Sequence, residues 1–105
     1  MSEIVILLTT VQDEERAEAI ARALVTERLA ACVNVLPPMI SFYRWKGTVE
    51  RDVERQLVVK TTVDRVAAVQ VRIRELHPYE LPELLVLPVA GGGADYLDWV
   101  VSEIR

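Results

Sequence analysis

His77 is the only histidine of the chain, and it lies shortly before Glu80 and Glu83 in the segment LHPYELPEL. Imidazole is the commonest side-chain ligand of copper and zinc, and carboxylates complete many such sites. These three side chains are therefore the candidate metal ligands, and Cu²⁺ or another divalent cation is the ion that they could bind weakly. The alternative is that His77 lies at the end of a helix and places a cation against the negative end of the helix dipole.

Three other side chains could contact a small ligand: Lys60, Tyr79 and Trp99. The Lys60 ammonium lies in the middle of a predicted strand, where it could hold an anion or could neutralise an acidic row on the same strand. That row consists of Glu50, Asp52 and Glu54. Tyr79 and Trp99 could equally pack at the rim of a site or at an interface.

Other kinds of chemistry have less support in the sequence. Cys32 is the only cysteine, so it cannot form an internal disulfide, and we predict a small buried apolar residue there. The three glycines at 91–93 precede a predicted helix but lack the Lys-Ser/Thr pair of a phosphate-binding loop, which favours a flexible helix entry. Neither a Ser-His-Asp set nor an acid-base pair of carboxylates has a distinctive spacing. We predict a binding protein rather than an enzyme.

The composition indicates one globular domain, residues 1–105, with 51% hydrophobic residues. The apolar runs are much shorter than the ~20 residues that cross a bilayer, and MSEIVILLTT does not resemble a secretory signal, so we expect a cytoplasmic protein. The 12 basic and 16 acidic residues are mixed along the chain, which disfavours nucleic acid and membrane partners. Few thermolabile side chains favour high thermal stability.

The hydrophobic pattern of the first half predicts two strands around a helix. Residues 3–9 form a continuous apolar strand. Asp13 can cap the following helix, which is expected to run to about Leu29. A strand then follows in AACVNVLPPMISFYRW, where Pro37 and Pro38 must lie at an edge or a bulge.

The second half continues after a turn at KG. Residues 48–61 alternate apolar and charged side chains and therefore form a strand. A helix at about 63–76 ends at the His-Pro step, and a strand follows at 83–89. The final helix is expected to place four side chains inward, namely Leu97, Val100, Val101 and Ile104.

The resulting β-α-β-β-α-β order with an extra C-terminal helix predicts an α+β, ferredoxin-like fold, in which two helices cover one face of an antiparallel sheet. IVILL and LLVL are apolar on both faces, a pattern of strands covered on both sides. The last helix is too short to cover the second face, and the hairpin arms of about 14 residues would extend roughly 45 Å. We therefore predict a closed homo-oligomer. RNA recognition is disfavoured because such a domain stacks bases on aromatic side chains of its first and third strands, and EIVILLT and QLVVKTT contain none.

Five segments resemble, in order, the CutA family of divalent-cation tolerance proteins: ERLAACVNV, SFYRWKG, LVVKTT, HPYELPELLVLPV and YLDWV. The resemblance implies a cytoplasmic homotrimer that is associated with tolerance of copper and other divalent ions and has no assigned enzymatic activity. Some bacterial members have a Cys at the end of the first strand and a second His before HPY. Leu8 and Leu76 occupy these positions here, so only His77 matches and weak metal binding is expected.

The alternative function is that of a small-molecule-responsive regulatory trimer that resembles the PII-type signalling proteins. Clefts between ferredoxin-like subunits serve as ligand sites in those proteins. In this interpretation Lys60, Tyr79 and Trp99 contact the ligand instead of packing against other side chains.

Overall fold

The computed structural model describes residues 3–104, which contain five strands and three helices. A short 3-10 turn, Val63–Arg65, leads into the second helix. The elements in chain order are β1 Ile4–Val11, α1 Glu14–Thr26, β2 Cys32–Val35, β3 Met39–Trp45, β4 Thr48–Thr62, α2 Val66–Leu76, β5 Leu85–Pro88 and α3 Ala94–Ile104.

The strands form one antiparallel sheet in the order β2-β4-β1-β5, and β3 also pairs with β4. The long β4 pairs with β1 through its C-terminal half and with β3 through its N-terminal half. This arrangement confirms the predicted α+β, ferredoxin-like fold with an additional C-terminal helix.

The two prolines divide the predicted second strand into β2 and β3. Val35 pairs with Leu57, whereas Met39 pairs with Glu54, so four steps along this strand oppose three steps along β4. One extra residue is therefore accommodated as a bulge, as expected where proline cannot donate a hydrogen bond to the ladder.

One face of the sheet is covered by α1 and α2. Odd-numbered residues of β1 and β4 point to this face, because side chains alternate along a strand. Leu7 and Val59 are fully buried there, together with Ile20 of α1 and Ile73 of α2. The two helices and this face of the sheet thus form the main core.

The opposite face is covered only in part, by α3. Val100 and Ile104 of this helix are buried against Ala31 and Ile4. The predicted inward face of α3 is confirmed for these two residues, while Leu97 and Val101 are only partly buried. Elsewhere on this face Leu85 and Leu87 of β5 remain 53% and 46% exposed.

Several predicted element ends were wrong by a few residues. Helix α1 ends at Thr26 rather than near Leu29, because Arg28 adopts a left-handed conformation with φ of 59° that a helix cannot continue. The first turn of the predicted 63–76 helix is 3-10, and the last strand is limited to Leu85–Pro88. Cys32 is half-buried rather than buried, opposite Lys60 of β4.

The subunit measures 44 × 25 × 24 Å with the β3–β4 hairpin included. The hairpin extends beyond the two-layer body, because the first half of β4 pairs with β3 and not with β1. Its turn is formed by Lys46 and Gly47, whose positive φ angles of 50° and 83° match the twist of a tight hairpin. Only β4 has the arm length that was predicted, because β3 has 7 residues and β4 has 15. Within the described range, no helix is both long enough and apolar enough to span a membrane.

Candidate binding cleft

The corner after α2 is built as the sequence predicts. His77 has extended backbone angles, φ −82° and ψ 134°, and its N–H still donates to the Ile73 carbonyl at 2.8 Å. Pro78 then prevents a further helical turn. The chain is thereby directed across the end of β1, where the His77 side chain becomes buried.

Both ring nitrogens of His77 have partners in the same subunit. Nε2 lies 2.8 Å from the Thr10 carbonyl, which can only accept, so Nε2 carries the proton and donates. Nδ1 accepts the Tyr79 backbone N–H at 3.1 Å. Burial lowers the pKa of His77 below its ordinary value of 6.5 and so favours the neutral ring. His77 does lie at the C-cap of α2, as the alternative predicted, but its ring hydrogen-bonds to β1 rather than to the last carbonyls of the helix.

Tyr79 and Glu54 form a second pair beside this ring. The Tyr79 hydroxyl donates to Glu54 Oε2 at 2.7 Å, and the Glu54 residue is only 7% exposed. Burial, together with this hydrogen bond to a carboxylate, raises the pKa of Tyr79, which keeps the phenol protonated and able to donate. Glu54 belongs to the acidic row that was predicted, but its burial beside Tyr79 was not foreseen.

Gln56 connects the loop after Tyr79 to the sheet. Its Nε2 donates to the Thr9 carbonyl at 2.7 Å and to Glu83 Oε2 at 2.9 Å. Glu83 is therefore held by an amide, whereas Glu80 is exposed. Gln56 was not among the predicted site residues, although it continues the same strand face two residues after Glu54.

A third pair lies further along the hairpin. The Tyr43 hydroxyl donates to Asp52 Oδ2, and this hydrogen bond raises the pKa of Tyr43 to about 12. Tyr43 and Asp52 share one face of the β3–β4 ladder with Glu54. The acidic row is thus partly paired with phenols.

These side chains line one cleft, which we call the arm cleft, of about 790 Å³ between the β3–β4 hairpin and the corner after α2. Two of its walls come from strands and the third from the loop at residues 79–83. Its polar and aromatic lining includes Thr10, Gln12, Tyr43, Arg44, Trp45, Glu54, Gln56, Tyr79, Glu80 and Glu83.

The predicted ligand contacts are divided between two places. Tyr79 lines the arm cleft, but the Lys60 ammonium lies 5.8 Å from the centroid of the Tyr96 ring on α3. Trp99 stacks at a tilt on the same Tyr96, with ring centroids 5.5 Å apart. Lys60 is six residues from Glu54, or roughly 20 Å along an extended strand, so it does not neutralise that carboxylate. The ion-pair interpretation of Lys60 was wrong.

The predicted metal ligands do not form a set around one point. His77 uses both ring nitrogens, Glu83 accepts from Gln56, and residues 3–104 contain no group of three or more His, Cys, Asp or Glu side chains placed to hold a metal ion. Leu76 packs into the core under the helices, whereas Leu8 points to the opposite face. Within one subunit, donors at these two positions would therefore lie on different sides of the sheet.

Comparisons with known proteins agree over nearly the whole chain. A family model described as CutA1 divalent ion tolerance protein matches residues 5–103. The chain is 50% identical over 95 residues to the divalent-cation tolerance protein CutA of Thermus thermophilus. The aligned residues cover 90% of this chain and 92% of that protein. Both the sequence pattern and the length are thus shared.

Solved structures show the same fold. The crystal structure of CutA from Xylella fastidiosa has a TM-score of 0.95 and 44% identity, covering 99% of this chain and 100% of that one. A protein from Archaeoglobus fulgidus named periplasmic divalent cation tolerance protein CutA has a TM-score of 0.94 and 32% identity, covering 97% and 99% of the two chains. Sequence and fold therefore both relate this chain to the CutA proteins.

Proposed function

Because this chain belongs to the CutA1 divalent ion tolerance family, we propose that it acts in the tolerance of divalent cations, copper among them, as a homotrimer in the cytoplasm. The observation that carries the proposal is the extent of the match, 50% identity to a divalent-cation tolerance protein over 90% of the chain. The protein acts by binding rather than by catalysis. Its partners are copies of itself and a divalent cation, with no nucleic acid or membrane among them.

The trimer is supported by apolar side chains that one subunit leaves uncovered. Leu85 and Leu87 are about half exposed on the face opposite α1 and α2, and Phe42 and Val49 of the hairpin are 69% and 63% exposed. Burial of this surface between copies would remove apolar area from water. It would also raise the thermal stability, because assembly stabilises the folded chain by mass action.

Copper binding at the corner is proposed to be weak. A metal ion at His77 requires the ring to release either the Tyr79 N–H or the Thr10 carbonyl, and Glu83 already accepts from Gln56. A cytoplasmic location is consistent with a single cysteine, which excludes an internal disulfide.

The proposal can be tested in a bacterial strain that lacks its own divalent-cation tolerance protein. Expression of this chain is expected to restore growth at inhibitory Cu²⁺, whereas an empty vector is not. Light scattering of the purified protein is expected to give three times the chain mass of 11.9 kDa. Unchanged copper sensitivity would contradict the function, and a monomer mass would contradict the assembly.

A second candidate function is that of a small-molecule-responsive regulator. The arm cleft favours it, because about 790 Å³ lies within the range of roughly 300 to 1,000 Å³ that is typical of small-molecule sites. In such a protein, occupation of the cleft would alter the hairpin that forms one of its walls.

A further inference from the structure

We propose that the arm cleft binds a small organic cation, an ammonium group carried on an apolar body. The starting point is the carboxylate of Glu54, which belongs to a residue only 7% exposed and lines the cleft. Its Oε2 accepts from Tyr79, but Oε1 accepts no hydrogen bond from any residue between 3 and 104. A buried carboxylate is stabilised by a charged partner, and a cation that enters the cleft would supply one.

The charges of the lining favour a cationic occupant. Three carboxylates face or border the cleft, those of Glu54, Glu80 and Glu83, against the single guanidinium of Arg44. The phenols of Tyr43 and Tyr79 stay neutral, because hydrogen bonding to Asp52 raises the pKa of the first and burial beside Glu54 raises that of the second. The lining therefore has an excess of two negative charges.

The aromatic walls favour an organic cation in particular. Tyr43, Trp45 and Tyr79 all line the cleft, and the faces of such rings attract ammonium groups. The chain already shows this interaction at Trp45, where the Lys46 ammonium lies 5.6 Å from the ring centroid. An ammonium group on an apolar body can contact both the aromatic rings and the Glu54 carboxylate.

A bare metal ion is a poorer occupant of this cleft. Divalent cations need several donors at short distances, and Glu83 already accepts from Gln56. The part of the chain that the structure describes offers no cluster of three ligating side chains. A volume of about 790 Å³ is also much larger than one ion requires.

This inference rests only on the geometry of the cleft and is independent of the proposed role in cation tolerance. Phenethylamine is a suitable probe, because 2-phenylethanol has the same apolar body with a neutral hydroxyl in place of the ammonium. We expect calorimetric titration with EDTA present to show saturable binding of the amine, at least about 10-fold tighter than that of the alcohol. Absence of saturable binding, or equal affinity for both compounds, would overturn the proposal.

Two variants locate the binding in the cleft. E54Q keeps the size of the side chain and an acceptor for the Tyr79 hydroxyl but removes the charge, so amine affinity is expected to fall about 10- to 100-fold. W45L is expected to weaken binding about 2- to 10-fold through loss of the ring. E18Q, on the exposed surface of α1, is the matched control and should bind as the unaltered protein does.

The variants must also retain the assembly of the parent protein, which light scattering measures on the same samples. If E54Q binds the amine as tightly as the parent, the site lies elsewhere and the proposal is wrong. A failure of copper tolerance in cells would leave the result unaffected, since metal is absent from the titration.

Discussion

The two faces of β1 differ in how completely the rest of the chain buries them. Leu7 points to the face under α1 and α2 and is fully buried. Its neighbour Leu8 points to the other face, is only partly buried, and lies between Val58 and the half-exposed Leu85. The side chains are equally apolar, so sequence alone does not distinguish them.

Other parts of the subunit cover the second face only at its two ends. At one end α3 buries Ile104 against the sheet, and at the other a polar network joins Tyr79 to Glu54 of β4. Between them lies the apolar surface that a single subunit leaves uncovered. We propose from this difference that the first face stabilises the subunit, while the second serves assembly and binding.

The largest expected effect is that of truncation on the covered face. L7A should lower the free energy of unfolding by about 2 to 5 kcal/mol, because it leaves a cavity among fully buried side chains. L8A is the matched change on the other face and should cost less than about 1 kcal/mol in a dilute, dissociated subunit. Denaturant unfolding at two protein concentrations measures both.

The same pair of variants tests whether the second face is covered by other copies. If it is, the cost of L8A should rise with protein concentration, because assembly contributes to stability by mass action. A small cost of L8A at every concentration would show that this face stays exposed and would contradict the trimer.

An intermediate effect is expected for the polar network at the end of the second face. Y79F removes the only hydrogen-bond donor to the Glu54 carboxylate within residues 3–104, and should destabilise the protein by about 1 to 3 kcal/mol. Y43F is the matched control, since Asp52 lies on the more exposed hairpin and can bind water instead, so a much smaller change is expected. Equal losses in thermal unfolding would show that burial of Glu54 does not matter.

The fold could be predicted well because its signals are local. The capping residue Asp13 accepts from the Glu15 N–H at 2.8 Å, the His-Pro step ends α2, and the prolines produce the bulge. Alternation along β4 correctly separates Val59, which lies in the core, from Glu54, which lies on the other face. Each of these features depends on a residue and its immediate neighbours.

The site could be predicted only in part, because it depends on contacts distant in sequence. His77 meets Thr10 across 67 residues, and Tyr79 meets Glu54 across 25. Its chemical type made His77 a candidate metal ligand, but in the structure both ring nitrogens hydrogen-bond to backbone groups. Lys60 was placed on the right strand face, yet its partner Tyr96 comes from α3, whose position no local pattern specifies.

The smallest expected effect concerns His77, where β1 ends and both faces meet the corner. Burial lowers its pKa in the folded chain, so the unfolded chain binds the proton more tightly and stability depends on the neutral ring. The stabilising contribution should be complete above about pH 6.5 and should decline as the pH falls through the lower folded pKa. Protonation also turns Nδ1 into a donor that faces the Tyr79 N–H.

Because the chain has one histidine, unfolding measured between about pH 7.5 and 5.5 isolates this group, and H77Q should remove the decline. A decline of the same size in H77Q would assign the pH dependence to other groups and leave His77 a structural partner of Thr10 alone.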